Sequence, residues 1–177
     1  MKKTTLYNTH LELNAKMTSF GGFEMPIQYS GVKKEHLTVR SSLGVFDVSH
    51  MGEFYISGSN ALPLLQHICS NDISKIPIGK AQYNYFPNET GGIVDDLIVY
   101  RLDESMYLLV VNASNISKDW DWIQKHNTSY RAELEDRSES TALLAIQGPK
   151  ALQAMQKLTP SRLNELPYYA HTTGIVA

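Results

Sequence analysis

Asp95 and Asp96 are neighbours inside the most apolar strand-like run of the chain. That run reads Ile93-Val94-Asp95-Asp96-Leu97-Ile98-Val99-Tyr100 and follows the glycine pair Gly91-Gly92. Adjacent side chains on a strand point to opposite faces. One aspartate is then free to face solvent, and the other faces the side its neighbours bury. An ionised carboxylate taken out of water costs on the order of several kcal/mol unless it is paired. That exceeds the roughly 1.5–3 kcal/mol gained by burying one Val or Leu. Such a residue predicts a polar cleft and a ligand, and the burial cost favours a functional role for Asp96. Asp96, Ile98 and Tyr100 share one face of the run, Asn112 ends the next strand-like segment, and Tyr83 belongs to the preceding one. Tyrosines offer stacking faces for a flat heterocycle. Asn both donates and accepts, whereas an ionised Asp only accepts. Together they suit a planar ligand rich in N–H groups. For Tyr83, Tyr100 and Asn112 taken alone, β-propensity explains the residue types equally well, and Tyr85 reads as an ordinary strand residue.

These side chains need a sheet to hold them. Residues 82–87, 93–102 and 106–112 read as three consecutive strands, joined by the turn residues Asn88-Glu89-Thr90-Gly91-Gly92 and Asp103-Glu104-Ser105. Short connections between successive strands imply an antiparallel meander. Further strands are expected at 52–57, with Phe54 and Ile56 on one side, and at 132–136 and 142–147. Helical spacing places a helix from a Ser30 cap to about Ser42, turning Val32, Leu37, Val39 and Leu43 toward a core and stopping at Gly44. A second starts at an Asn60 cap, a third runs from about Ser114 to Lys125, and a fourth begins at Pro149. Residues 173–177 look like the start of a strand. Helices interspersed with an antiparallel meander make the class α+β.

Composition excludes several functions. Hydrophobic residues at 42% and charged residues at 19% describe a folded chain rather than a disordered one. A net charge of -2 with no basic run beyond Lys2-Lys3 and Lys33-Lys34 argues against nucleic acid as a partner. One cysteine, Cys69, permits no internal disulfide. No apolar run approaches the length of a membrane span, so a cytoplasmic protein with no membrane partner is expected. The six histidines never fall within four residues of one another, so no zinc pattern is present and no metal site is expected. A phosphate-binding glycine loop, a dinucleotide fingerprint and a serine nucleophile elbow are all absent. His50 and Glu53 are expected to serve hydrogen bonding inside the fold, and Arg40 to pair with Glu35 or Asp47.

The same residues lie in a longer pattern. It includes Phe20-Gly21-Gly22, Met25-Pro26, Glu35-His36, Gly44-Val45-Phe46-Asp47-Val48-Ser49-His50-Met51-Gly52-Glu53, Gly91 to Tyr100, Val111-Asn112-Ala113 and Leu144-Ala145-Ile146-Gln147-Gly148-Pro149. The chain thereby resembles the T-protein family of the glycine cleavage system, aminomethyltransferases that use tetrahydrofolate. The resemblance implies the folate-binding T-protein-like fold with its carboxy-terminal part absent. It implies residues 1–52 with 138–177 as a first, incomplete domain, and 53–137 as an inserted α+β domain carrying the Asp96 strand. It implies transfer of a one-carbon unit from the aminomethyl-lipoyl arm of the H-protein to tetrahydrofolate, with release of ammonia. The catalytic aspartate of the family maps to Asp96, with Asp95 as the alternative. Met51, Tyr83, Asp96, Ile98, Tyr100 and Asn112 match positions that line the family's folate pocket. The family continues past residue 177 into an Arg-Thr-Gly-Tyr-containing motif and a β-rich domain, so this chain reads as an amino-terminal fragment, inactive alone, with an open edge through which two copies could pair. The competing function is a folate-binding module without transferase activity, as in the folate domains of amine dehydrogenases.

Overall fold

A computed structural model describes residues 1–177. In chain order the elements are α1 (Tyr7–Glu12), β1 (Lys16–Phe20), β2 (Phe23–Gln28), α2 (Val32–Ser41), β3 (Gly44–Asp47), β4 (Gly52–Ser57), α3 (Ala61–Ile68), β5 (Lys80–Pro87), β6 (Ile93–Asp103), β7 (Met106–Val111), α4 (Ile116–Tyr130), β8 (Glu133–Asp136), β9 (Leu144–Gln147) and α5 (Ala151–Met155). They form two compact units. One comprises Met1–His50, Ala142–Pro167 and Thr173–Ala177, and the other Met51–Thr141 and Tyr168–Thr172.

The second unit is built on a five-stranded antiparallel sheet in the order β5-β6-β7-β4-β8. Alternation gives the sheet one apolar face. Phe54 and Ile56 of β4, Leu97 and Val99 of β6, and Leu109 and Val111 of β7 are all buried there, together with Leu64, Leu65 and Ile68 of α3 and Ile123 of α4. Each such side chain contributes roughly 1.5–3 kcal/mol on burial. Phe54 also stacks at a tilt on Trp120 of α4, with ring centroids 4.8 Å apart. The expected meander is present. The third expected helix starts two residues late and runs on to Tyr130, because the Asn127 side chain closes it without a glycine. Its amide accepts from Ala132 N–H over 2.8 Å and donates to Ala132 C=O over 2.9 Å, while Arg131 turns into the left-handed region at φ 58°.

The first unit holds the β1–β2 hairpin and the β3–β9 pair. Neither α1 nor the hairpin was expected. β1 shows no buried alternation for a pattern to reveal. The α2 cap is Gly31 (φ 116°), not Ser30, and the Glu35 carboxylate accepts the N–H groups of Tyr29 and Gly31, both over 2.8 Å. Val32 and Leu37 do not enter a core and stay 60% and 56% exposed. Gly44 does not merely stop a helix; it opens β3. Asp47 is satisfied by Thr4 Oγ1 at 2.6 Å, His10 Nε2 at 2.8 Å and Ser49 N–H at 3.0 Å, and no ion pair joins it to Arg40. The His50 ring packs edge-on against Phe20, its Nδ1 unpartnered, so its contribution is packing rather than a hydrogen bond. Residues 173–177 form no strand. They are held instead by Thr159 Oγ1 donating to Ile175 C=O and by Ala177 N–H donating to Leu158 C=O. The strand edge expected to pair two copies is therefore not formed by these residues.

Gly148 follows β9 at φ 120°, and a Cβ there would lie 2.5 Å from Ser42 C=O and 2.6 Å from Val39 C=O. Both obstacles are backbone and cannot swing away. Gly148→Ala is expected to lower unfolding free energy by about 2–4 kcal/mol, from backbone strain plus overlap. Urea unfolding of wild type and variant measures it; a loss under half a kcal/mol would show that the loop relaxes freely.

Candidate functional site

β6 carries the aspartates, and its burial alternates strictly over residues 94–100. Asp95 falls on the apolar face with Leu97 and Val99 and is only 8% exposed. Asp96 falls on the other face with Ile98 and Tyr100 and is partly exposed. The desolvation cost expected at Asp96 therefore falls on Asp95. The register was right and the face wrong: the run is apolar on both sides, so composition alone does not say which side the helices cover.

The open face of the sheet assembles the expected residues in rows. Tyr83 of β5 pairs with Ile98 of β6, which pairs with Val110 of β7, which pairs with Glu53 of β4. A cavity of about 160 Å³ is walled by Met51, Tyr83, Asp96, Ile98 and Asn112, with Leu97 and Val110. Tyr100 stands in a second hollow of about 170 Å³ with Ala81, Tyr169 and Ala170. The two hollows share Ile98. Five of the six expected residues thus meet in one cavity and the sixth lines the next. Each hollow alone is smaller than a usual small-molecule pocket of roughly 300 Å³ or more.

Asp96 is held from both sides. Tyr83 OH donates to its Oδ2 over 2.8 Å, and Asn112 Nδ2 donates to its Oδ1 over 2.9 Å. The same Asn112 nitrogen faces Asp96 C=O and Asp95 Oδ1, each at 3.1 Å. Three acceptors around one nitrogen fix the orientation of the amide. A carboxylate has about four lone-pair sites, so Asp96 keeps two for a ligand. The Tyr83 phenol is shifted up, first by this hydrogen bond to Asp96 and then by burial, which keeps it a donor.

Tyr169 was not anticipated from sequence. It lies 69 residues beyond Tyr100, in a stretch with no periodic signal. The structure fixes it at φ 57°, its C=O accepting Ala81 N–H over 2.8 Å. The adjoining His171 places its ring edge-on to Tyr100, centroids 5.7 Å apart, and its Nε2 lies 3.1 Å from Arg101 C=O. Burial, and then Tyr169, raise the Tyr100 phenol above its ordinary value.

Larger concavities exist in the first unit, of about 700 Å³ beside Leu152, Gln156 and Arg162, and about 310 Å³ beside Tyr29, Val39 and Asp47. Volume alone does not make them the better site. Arg162 is paired with Glu165, and Asp47 is taken up by Thr4, His10 and Ser49. No group of three or more His, Cys, Asp or Glu side chains could hold a metal ion. No helix is long and apolar enough to cross a membrane.

Residues 6–177 match the GCVT N-terminal domain family. The aminomethyltransferase of Phocaeicola vulgatus is 60% identical over 174 residues, which is 98% of this chain and 48% of that protein. The aminomethyltransferase of Thermus thermophilus is 53% identical over 93% of this chain and 47% of its own length. The crystal structure of glycine cleavage system aminomethyltransferase T from Bartonella henselae has a TM-score of 0.90 at 35% identity, covering 96% of this chain and 46% of that one. Heterotetrameric sarcosine oxidase from Corynebacterium sp. U-96 has a TM-score of 0.51 at 17% identity over 77% of this chain and 70% of that chain, which is a likeness of fold alone. The chain spans about half the length of the curated relatives it matches.

Glu53 is the unsatisfied group on the open face. It is 2% exposed, and neither carboxylate oxygen meets a donor, although its backbone N–H donates to Ser138 Oγ and its C=O accepts Arg137 N–H. The side chain thus does not supply the hydrogen bonding expected of it. Burial, and secondarily Asp136, push its carboxyl from 4.5 up to about 7. Between those values the folded state holds the proton more tightly than the unfolded state, so the contribution of Glu53 to stability is greatest below pH 4.5 and is lost as pH rises to about 7. Glu53→Gln is expected to remove about 2–3 kcal/mol of that pH dependence. Urea titrations at pH 5 and 7.5 measure it, and parallel profiles for variant and wild type would contradict it.

Proposed function

The chain belongs to the GCVT N-terminal domain family, and from that premise we propose that it forms the folate-facing sheet of a tetrahydrofolate-dependent aminomethyltransferase. The net reaction moves the methylene of an aminomethyl group from the lipoyl sulfur of the glycine cleavage H-protein to tetrahydrofolate. Ammonia and the free thiol are released with methylenetetrahydrofolate, so atoms balance without an oxidant. Tetrahydrofolate supplies the nucleophilic nitrogens. The chain's own residues place them.

The observation that carries this reading is the Asp96 carboxylate, pinned by Tyr83 OH and Asn112 Nδ2 inside a cavity walled by Met51 and Ile98. A pinned acceptor with lone pairs to spare can receive an N–H from a pterin or stabilise positive charge developing on the transferred carbon. Ile98 and Met51 give a flat ring an apolar bed, and Tyr100 and Tyr169 extend it into the adjoining hollow. Holding two large reactants in register is itself a large rate term, which rewards a carboxylate that cannot swing.

In the full-length protein, Asp96→Asn is expected to lower ammonia release from aminomethylated H-protein by about 10²-fold or more, the usual scale for a positioned charged group. Tetrahydrofolate affinity should change by less than about fivefold, or about 1 kcal/mol. Turnover like wild type in the variant would overturn the assignment of Asp96. Wild-type protein that binds tetrahydrofolate but releases no ammonia from the H-protein substrate would make the chain a folate-binding module instead.

A further inference from the structure

Behind the open face lies a second carboxyl that the reaction above does not use. Asp119 sits in the first turn of α4 and is fully buried. Neither of its oxygens faces a hydrogen-bond donor from any neutral or cationic group. Its carboxyl is instead a neighbour of the Asp95 carboxyl, near enough that each shifts the other's proton affinity. Asp95 Oδ2, likewise buried, has no other partner. Two ionised carboxylates cannot hydrogen-bond and repel strongly in a dry interior. One shared proton turns the contact into a charge-assisted O–H···O⁻ bond.

The surroundings decide which partner keeps the proton. Burial alone would push Asp95 up, but hydrogen bonds from Asp119, Asn112, Asn115 and the Asp96 backbone N–H outweigh it and hold Asp95 below the usual carboxylate range. Asp119 has no such donors. Burial first, then the hydrogen bond and charge of Asp95, push it from 3.8 to about 8. The remaining charges acting on it are Lys118 of its own helix and Asp96 of β6. α3, packed against the same helix, contributes His67, whose ring lies against His126 instead.

We propose that Asp119 is a positioning residue: its carboxyl proton, shared with Asp95, aims Asp95 at the Asn112 amide and so fixes the Asp96 carboxylate. The links are continuous within one unit. A proton on Asp119 has the neighbouring Asp95 carboxylate as its acceptor, and Asp95 Oδ1 accepts Asn112 Nδ2 at 3.1 Å. That nitrogen also meets Asp96 Oδ1 at 2.9 Å, and Tyr83 OH closes the other side of Asp96 at 2.8 Å. If Asp119 loses its proton, Asp95 faces an anion rather than a donor and moves off the amide it orients. A packed apolar residue in place of a buried acid often stabilises a protein, so stability alone is a poor reason for this pair. The role of Asp119 toward a ligand site rests on the proposed function; the proton sharing does not.

The test is carboxyl and side-chain amide NMR on the 177-residue chain with labelled Asp and Asn. An aspartate carboxyl titrating near pH 8 is expected, with the Asn112 side-chain amide shifting at the same midpoint. Asp119→Asn keeps an N–H donor toward Asp95 and should abolish the step while leaving the Asn112 amide at its neutral-pH position. Asp119→Leu removes the donor and should displace that amide at all pH values. In the full-length protein, tetrahydrofolate should bind the Asn variant within about twofold of wild type and the Leu variant at least about tenfold more weakly, on the scale of one lost charged hydrogen bond. An Asn112 amide that stays fixed from pH 6 to 9.5 in wild type would overturn the proposal. So would equal displacement by the Asn and Leu variants. If the step and its removal are seen but tetrahydrofolate does not bind, the functional reading fails and the shared proton stands.

Discussion

One side-chain amide holds the two aspartates of β6 in relation to each other. Asn112 Nδ2 reaches Asp95 Oδ1 and Asp96 Oδ1, although those carboxylates lie on opposite faces of the strand. It can do so only from the end of β7, where the chain leaves the sheet and is no longer committed to one face. The register Leu97 to Val111 brings it there. β4 must also approach closely. Gly52 pairs with Val111, and a Cβ on it would lie 2.7 Å from Val111 Cγ2 and 2.8 Å from Ile116 Cγ1. A glycine at that position is thus part of how the amide is delivered.

The platform under this amide is apolar packing, not polar interaction. Phe54, Ile56, Val99, Leu109 and Val111 are completely buried, and α3 and α4 seal them. Polar groups in such a setting gain strength from the low dielectric and lose heavily when unpaired. Asp95 and Asp119 meet that condition with a single proton between them. Asp96, one residue on, meets it with two donors and an open side. The core therefore does more than stabilise the sheet: it makes the hydrogen bonds around Asn112 stiff enough to define a position.

What the sequence disclosed follows from which signals are local. The meander was legible because turn residues and alternation recur within a few positions, and α3 because its Asn60 boundary and apolar spacing agree. The grouping of Met51, Tyr83, Asp96, Ile98 and Asn112 was legible from strand parity together with a family resemblance. The face of β6 that is buried was not legible, since Val94 and Ile98 on one side are as apolar as Leu97 and Val99 on the other. Tyr169 was hidden for a different reason. Its place beside Ile98 and Tyr100 depends on the chain returning to β5 and hydrogen-bonding at Ala81, an encounter no local window contains. Asp119 was hidden because an acidic residue in the first turn of a helix reads as dipole compensation at the surface. Only the structure shows that α4 turns this one inward.

The case for Asp96 consequently rests on access rather than on the cost of burial. Three aspartates converge on or near the Asn112 amide. Asp119 is fully enclosed, and Asp95 is 8% exposed with its free oxygen turned toward Asp119. Neither can touch a ligand without the sheet and α4 separating. Asp96 alone lines a cavity, and both its oxygens are already fixed by donors that leave lone pairs facing that space. A buried charge signals that something must neutralise it, and in Asp95 that something is another side chain. A held but accessible charge is the one that can act on a molecule from outside.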